Sequence, residues 1–329
     1  MRSMSQFGND LYTGKLSVPF VPRRRLWFIV AIVLIIGSAV GLLAKPPQFS
    51  IEFTGGSQFT VSGLEQPDQL VATDAVRTVV PDATTKVTTI GGTAIRVQTD
   101  QMSADDTLAV SAALATAYEV PAEEVTTSFI GPTWGQDVTR QSLWGLAIFL
   151  ALTFLILAIY FRTWKMSAAA ILGLVDVLVI TVGVYAFAGF EISPAAVIGF
   201  LTILGYSLYD TTVVFDKIRE NTTEDGLTTG RTFGESVNLA VNQTLVRSIN
   251  TSVVAVLPVA AILFIGALWL GADTLSDISL AITVGIIVAA YSTLFVAAPL
   301  YSLFREGEPQ LRERDDRVRA ARDLAAVDS

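Results

Sequence analysis

A polytopic α-helical membrane protein, with one polar α+β domain set between its first and second spans, is the fold class this sequence predicts. Three observations carry that expectation. Hydrophobic residues make up 52% of the 329 positions, mean hydropathy is +0.56, and only 16% of residues are charged, a balance seldom found in soluble domains. Six apolar stretches, near 26–44, 142–161, 166–190, 194–217, 248–271 and 277–304, are each long enough for a hydrocarbon core that takes about 20 helical residues to cross. The interval 45–141 is too polar to be one of them and has the length of one small domain.

The first span follows Arg23-Arg24-Arg25, and the positions a signal-peptide cut before Lys45 would need to be small are Leu42 and Ala44. It reads as an uncleaved anchor. Orientation follows from the short-loop cations. Arg162 and Lys165 flank the connection between spans two and three, Lys217, Arg219, Arg231 and Arg247 lie in or beside that between spans four and five, and Arg305 follows span six. The connections around Glu191 and from Asp273 to Asp277 hold no Lys or Arg. Residues 1–25 and the tail 305–329 are therefore expected in the cytoplasm, with 45–141 outside and 142–304 forming a five-helix bundle. The tail, with RERDDRVRAARD in its middle, reads as a solvated helix or a disordered segment.

Within the outer interval, Ile51 to Val61 reads as a strand interrupted by Gly55-Gly56, and Pro67 opens a helical pattern through Val80. Thr85 to Ile90 and Thr93 to Gln98 read as a hairpin turned by Gly91-Gly92. Ser103 and Asp106 make a capping box before a helix to about Tyr118, and Val125 to Ile130 forms the last strand, ended by Gly131-Pro132. The order β-α-β-β-α-β is the split βαβ, or ferredoxin-like, arrangement. It hosts many functions and by itself names none. Gly55-Gly56 reads as a bulge or a flexible joint.

Composition removes whole classes of chemistry. With no cysteine there are no disulfides and no Cys-based metal sites, and with no histidine there is no Ser-His-Asp or Cys-His catalysis. Proton chemistry must run through carboxylates, hydroxyls or water, and neither an enzyme, a metal nor a bound cofactor is expected. The net charge of −8 sits in 46–141, which holds twelve acidic and four basic side chains, the remainder being balanced. No nucleic-acid partner is expected on that charge.

Two carboxylates fall inside spans. Asp176 lies ten residues into the third, roughly 15 Å deep. Asp210 lies seven residues before Lys217 in YDTTVVFDKIREN, roughly 10 Å from the cytoplasmic edge. Intramembrane acids are rare and functional by default. Gly199, Tyr206, Ser207 and Asp210 share one helical face, with Thr211 beside it. Gln243, Arg247, Asn250 and Thr251 share a face at the start of span five and form a candidate partner stripe. Pro258 further along permits a kink. Asp216, Lys217, Arg219 and Glu220 read as a solvated boundary. Structural glue between helices is the competing reading of the Asp210 and Arg247 pair.

Several motifs resemble those of the SecF family of the bacterial Sec protein-export machinery. They are IEFTGGSQF after the first span, VDVLVITVG in the third, GYSLYDTTVVFDKIREN in the fourth, and VRSINTS and YSTLFVAAPL in the last two. The resemblance implies a six-span half of an RND-related architecture, pairing with SecD and associating with the SecYEG channel, with YajC as a further candidate partner. It implies use of the proton motive force, in place of a cofactor, to draw preproteins across the cytoplasmic membrane. By motif match it assigns proton conduction to Asp210 and Arg247, with Asp176 a weaker candidate, and marks Phe53, Thr54, Gly55 and Gly56 as the outer-domain motif. Val175 stands where many members carry His, and Ser50 and Glu52 replace the usual Gly and Asp.

Deprotonated Asp210 is accordingly expected to pair with Arg247 and to release it on protonation. The alternatives are an RND-type small-molecule exporter half, although such exporters usually carry twelve spans and two large outer domains in one chain, and a non-conducting assembly factor. An intramembrane serine protease, hinted at by the GYS tripeptide, lacks its histidine.

Overall fold

The computed structural model describes residues 4–45, 48–90, 92–222, 230–268 and 273–327. Gly91 of the expected turn and the end of the fifth apolar run lie outside the described residues. In chain order the elements are α1 (Met4–Tyr12), α2 (Arg24–Ala44), β1 (Gln48–Phe49), α3 (Ile51–Thr54), β2 (Gly56–Val61), α4 (Gln69–Val79), β3 (Thr85–Ile90), β4 (Ala94–Thr99) and α5 (Ala104–Ala117). A short 3₁₀ turn precedes β5 (Val125–Ile130). There follow α6 (Pro132–Phe161), α7 (Trp164–Ala188), β6 (Glu191–Ile192), α8 (Pro194–Thr222), α9 (Phe233–Leu268) and α10 (Asp273–Tyr291). One π-helical stretch, Ser292–Ala297, joins α10 to α11 (Ala298–Arg305), and α12 (Pro309–Val327) closes the chain. Among the described residues six helical stretches are long and apolar enough to cross a membrane: Arg24–Ala44, Thr133–Phe161, Trp164–Ala188, Pro194–Thr222, Phe233–Ile265 and Leu275–Arg305.

Strands β2 to β5 form an antiparallel sheet in the order β3-β4-β2-β5. Period-two alternation sends Phe59, Val61, Ile95 and Val97 to one face, where they are buried with Ala72 and Val76 of α4 and Val110 and Leu114 of α5. Side-chain caps fix where both helices start. Asp68 accepts from the Leu70 N–H at 2.9 Å, and the Ser103 hydroxyl accepts from the Asp106 N–H at 3.1 Å. The return bond of a full capping box is replaced, because the Ser103 hydroxyl donates to the Asp106 carboxylate at 2.7 Å.

Three boundaries differ from expectation. Ile51–Thr54 is a helical turn and not strand; only Gly56–Val61 pairs. Gly55 caps the turn at φ 76° and Gly56 follows at φ 137°, where a Cβ would collide with the Thr99 carbonyl oxygen. The glycine pair thus makes a helix-to-strand corner. Second, α6 begins at Pro132, ten residues before the apolar run. Pro132 stands at its first turn, where a missing N–H is harmless, so the Gly131-Pro132 signal that stops β5 also starts a helix. Third, α9 begins at Phe233, well before the apolar run, because Asn238 and Asn242 on its polar first turns hold the N-terminal segment. Asn242 accepts from the Val18 N–H at 2.7 Å and donates to the Val18 carbonyl at 3.0 Å, and Asn238 accepts from the Val21 N–H at 3.0 Å.

The tail forms helix α12 and docks. Buried Asp315 accepts from the Phe233 N–H at 2.8 Å at the start of α9. Next to it, Glu308 takes Lys165 and Arg305 at 2.9 Å each, and these two cations hold its carboxyl below the usual range. Leu11, Phe20, Phe161, Phe215, Phe233 and Tyr301 form the largest buried cluster, at this end of the bundle.

Candidate functional site

The helices α7, α8, α9 and the π-helical stretch meet around the two intramembrane acids. Asp210 and Asp176 are each 4% exposed. Burial of an ionised carboxylate is unfavourable unless it is paired, so their partners decide what they can do. The Ser248 hydroxyl of α9 donates to Asp210 Oδ1 at 2.8 Å, while Oδ2 is buried with no hydrogen bond. Both oxygens of Asp176 are buried without a well-formed hydrogen bond. Its polar neighbours are Ser292 and Tyr291.

Arg247 does not form the expected ion pair. It lies on the exposed side of α9, near enough for its charge to be felt at Asp210, and its guanidinium donates to the Tyr209 hydroxyl at 3.3 Å. The reason is helical phase. On α9 the buried stripe is Thr244, Ser248 and Ser252, four residues apart, and it faces α8. The stripe Gln243, Arg247, Asn250 and Thr251 is offset from it and misses Asp210: Gln243 accepts from the Asn221 amide of α8 at 2.9 Å, Asn250 is exposed, and Thr251 donates back to the Arg247 carbonyl at 2.8 Å.

On α8 the expected face does point inward. Ser207 and Thr211 are buried, and the Tyr206 hydroxyl donates to Ser252 Oγ at 3.2 Å. Thr211 shares a hydrogen bond of 3.0 Å with Thr293 of the π-helical stretch. Ser292 donates to the Gly173 carbonyl of α7 at 3.0 Å, one turn before Asp176. At Gly173 the two backbones come so close that a Cβ there would lie 3.0 Å from that of Ala297. A π stretch carries an extra residue per turn and is a frequent companion of functional sites. Here it turns Ser292 and Thr293 toward different neighbours, α7 and α8. A broken run of hydroxyls thereby skirts both acids.

The motif residues Phe53, Thr54, Gly55 and Gly56 are not part of this layer. Phe53 stacks edge-on against Phe49 at 5.9 Å and packs on the cluster of Tyr185, Ile192 and Phe200 at the other end of the bundle. The Thr54 hydroxyl donates to the Ser50 carbonyl at 3.3 Å. Sequence reasoning missed Ser248, Ser252, Ser292 and Thr293. The i, i+4, i+8 hydroxyls of TLVRSINTS were a visible signal; the π geometry behind YST left none.

Six apolar helices with a polar, acid-bearing layer among them define a multi-pass helical membrane protein. The family models decide which. That of the protein export membrane protein SecD/SecF C-terminal region matches residues 109–307, and that of the SecD/SecF GG motif matches residues 40–62. The chain belongs to the SecD/SecF family of protein export membrane proteins. It is 40% identical to the protein translocase subunit SecF of Streptomyces coelicolor, over 99% of this chain and 87% of that one. It is 36% identical to the SecF subunit of Mycobacterium tuberculosis, over 95% of this chain and 72% of that one. The crystal structure of SecDF, a translocon-associated membrane protein from Thermus thermophilus, superposes with a TM-score of 0.76 at 28% identity, covering 88% of this chain and 39% of that one. The chain thus spans about two-fifths of that structure's length.

Proposed function

We propose that this chain is a non-enzymatic accessory subunit of the Sec preprotein translocase that pairs with a SecD subunit and couples the proton motive force to export across the cytoplasmic membrane. Both termini then face the cytoplasm, and the ferredoxin-like domain at 45–141 faces outward. SecYEG and preproteins are the wider partners. The observation that carries the reading is buried Asp210, with one oxygen on Ser248 and the other free to take a proton. A group so placed changes its charge only with a change of surroundings, which is what a coupling device needs.

Protonated, Asp210 needs no cation, and Arg247 can rest outward on Tyr209 as found. Deprotonated, it would draw Arg247 inward by a rotation of α9 against α8, and Pro258 in α9 eases bending. A membrane potential of roughly 150 mV supplies about 3.5 kcal/mol per charge crossing the full field, enough to bias such a two-state element. Asp176, beside the π stretch, is a second protonatable station.

Proton flux and preprotein export are measured together in vesicles holding this chain, its partner subunit and the channel. Asp210→Asn is expected to abolish proton-dependent stimulation of export while the chain still inserts and pairs. Stimulation unchanged by Asp210→Asn would refute the relay and leave the non-conducting assembly factor.

A further inference from the structure

Glu191 sits in the short connection between α7 and α8, the helices that carry Asp176 and Asp210. Its side chain is only 12% exposed, and three side chains of the outer domain converge on it. Lys86 of β3 forms an ion pair with Oε1, Arg96 of β4 lies 3.4 Å from Oε2, and Gln98 Nε2 donates to Oε2 at 3.2 Å. The three are on the sheet face opposite the domain core, because Val87, Ile95 and Val97 alternate with them. Main-chain bonds reinforce the contact. β1 pairs in parallel with β6, Gln48 with Glu191 and Phe49 with Ile192, and the Ser50 N–H donates to the Ile192 carbonyl at 3.1 Å. The next residue ties the same connection to α10, as Ser193 Oγ donates to Asp277 Oδ2 at 2.6 Å.

The outer domain is covalently continuous with α2 and α6, and with neither α7 nor α8. Displacement of the acid-bearing helices reaches it directly through non-covalent contact, and by the chain only along the whole length of α6 from the 162–163 link. We propose that Glu191 is the positioning residue of that contact, a latch through which movement of α7 and α8 is passed to the β3–β4 face. This rests on the reading of Asp210 as a proton-responsive group. A carboxylate largely removed from water and held by two cations and an amide is a directional contact, and neutralising it weakens both ion pairs at once. A latch of this kind acts on coupling and not on conduction.

The chain has no cysteine, so Asp74→Cys on α4 and Ile198→Cys on α8, both at exposed positions and labelled before assembly, give one spin-labelled pair in the complex. With Glu191 intact a single narrow distance is expected. In Glu191→Gln the distribution broadens, and export stimulation falls about tenfold while Asp210-dependent proton flux stays within about twofold, as loss of one charge-assisted contact implies. Glu191→Asp retains part of the stimulation. An unchanged distance overturns the latch, and so does broadening with export intact, which would make Glu191 a static brace. Flux lost along with export, as in Asp210→Asn, also overturns it and places Glu191 in conduction. If the unsubstituted complex conducts no protons through Asp210, the relay fails on its own; broadening with loss of export in Glu191→Gln would still support the latch.

Discussion

Ser248, and not Arg247, is the α9 residue bonded to Asp210: its hydroxyl donates to Oδ1 at 2.8 Å, whereas Arg247 donates to the hydroxyl of the preceding α8 residue, Tyr209, at 3.3 Å. A difference of one residue is a rotation of about 100° on a helix. The buried acid is therefore met by a neutral donor in this state, and the cation is held in reserve beside it. Such an arrangement separates holding the carboxyl in place from answering its charge.

If the hydroxyl orients the carboxyl, Ser248→Ala should reduce Asp210-dependent proton flux by about tenfold, the effect of one hydrogen bond to an ionisable group. Ser248→Thr keeps a donor and should retain most of the flux. Vesicle acidification assays on the two variants check this; equal losses would mean that packing, and not the hydroxyl, is what matters.

Because Arg247 acts on Asp210 through its charge alone and makes no hydrogen bond to it, a double-mutant cycle on unfolding in bicelles should give them a smaller coupling energy than Ser248 and Asp210. The same cycle for Ser248 and Asp210 should give about 1 kcal/mol. A large Arg247–Asp210 coupling in the resting protein would show that the inward-turned cation is the ground state.

Gly56→Ala should destabilise the outer domain by about 2–4 kcal/mol, since the backbone is left-handed there and the added methyl meets the Thr99 carbonyl. Hydrogen exchange of the β2 and β4 amides in the full chain measures it. Gly92→Ala meets no neighbouring atom despite φ 76°, and should cost only the backbone strain of about 1–2 kcal/mol.

The docking of the tail should depend on acid. Glu308 is held below the ordinary carboxylate value of about 4.3, chiefly by Arg305 and then by Lys165. Stability from a lowered carboxyl is fully present above the unfolded value and is lost as pH falls through the folded one. Protease cleavage after arginines of α12 should therefore be slow at neutral pH and accelerate only below about pH 4. In Glu308→Gln the acid-dependent step should become smaller, the Glu235–Arg322 pair at 2.7 Å supplying what remains.

Hydrophobic run length alone was enough for six spans, since a bilayer demands some 20 apolar residues wherever a helix crosses it. Turn and capping residues such as Ser103, Gly131 and Pro132 likewise mark the α5 and β5 boundaries locally, within a few residues of chain. The same periodicity singled out Asp210 and the inward face of α8. Polar helix extensions escaped it: α6 before 142 and α9 before 248 carry too few apolar residues to read as span, yet the chain stays helical because the outer domain and the N-terminal segment pack on them. Helical phase on α9 was decided by tertiary contact, as the hydroxyl and guanidinium stripes lie a single residue apart and both are amphipathic. The π stretch and the Glu191 cluster belong wholly to three dimensions. One lies where Gly173 and Ala297 let two backbones come close, and the other gathers charges roughly a hundred residues apart that only the docked sheet brings within reach of one carboxylate.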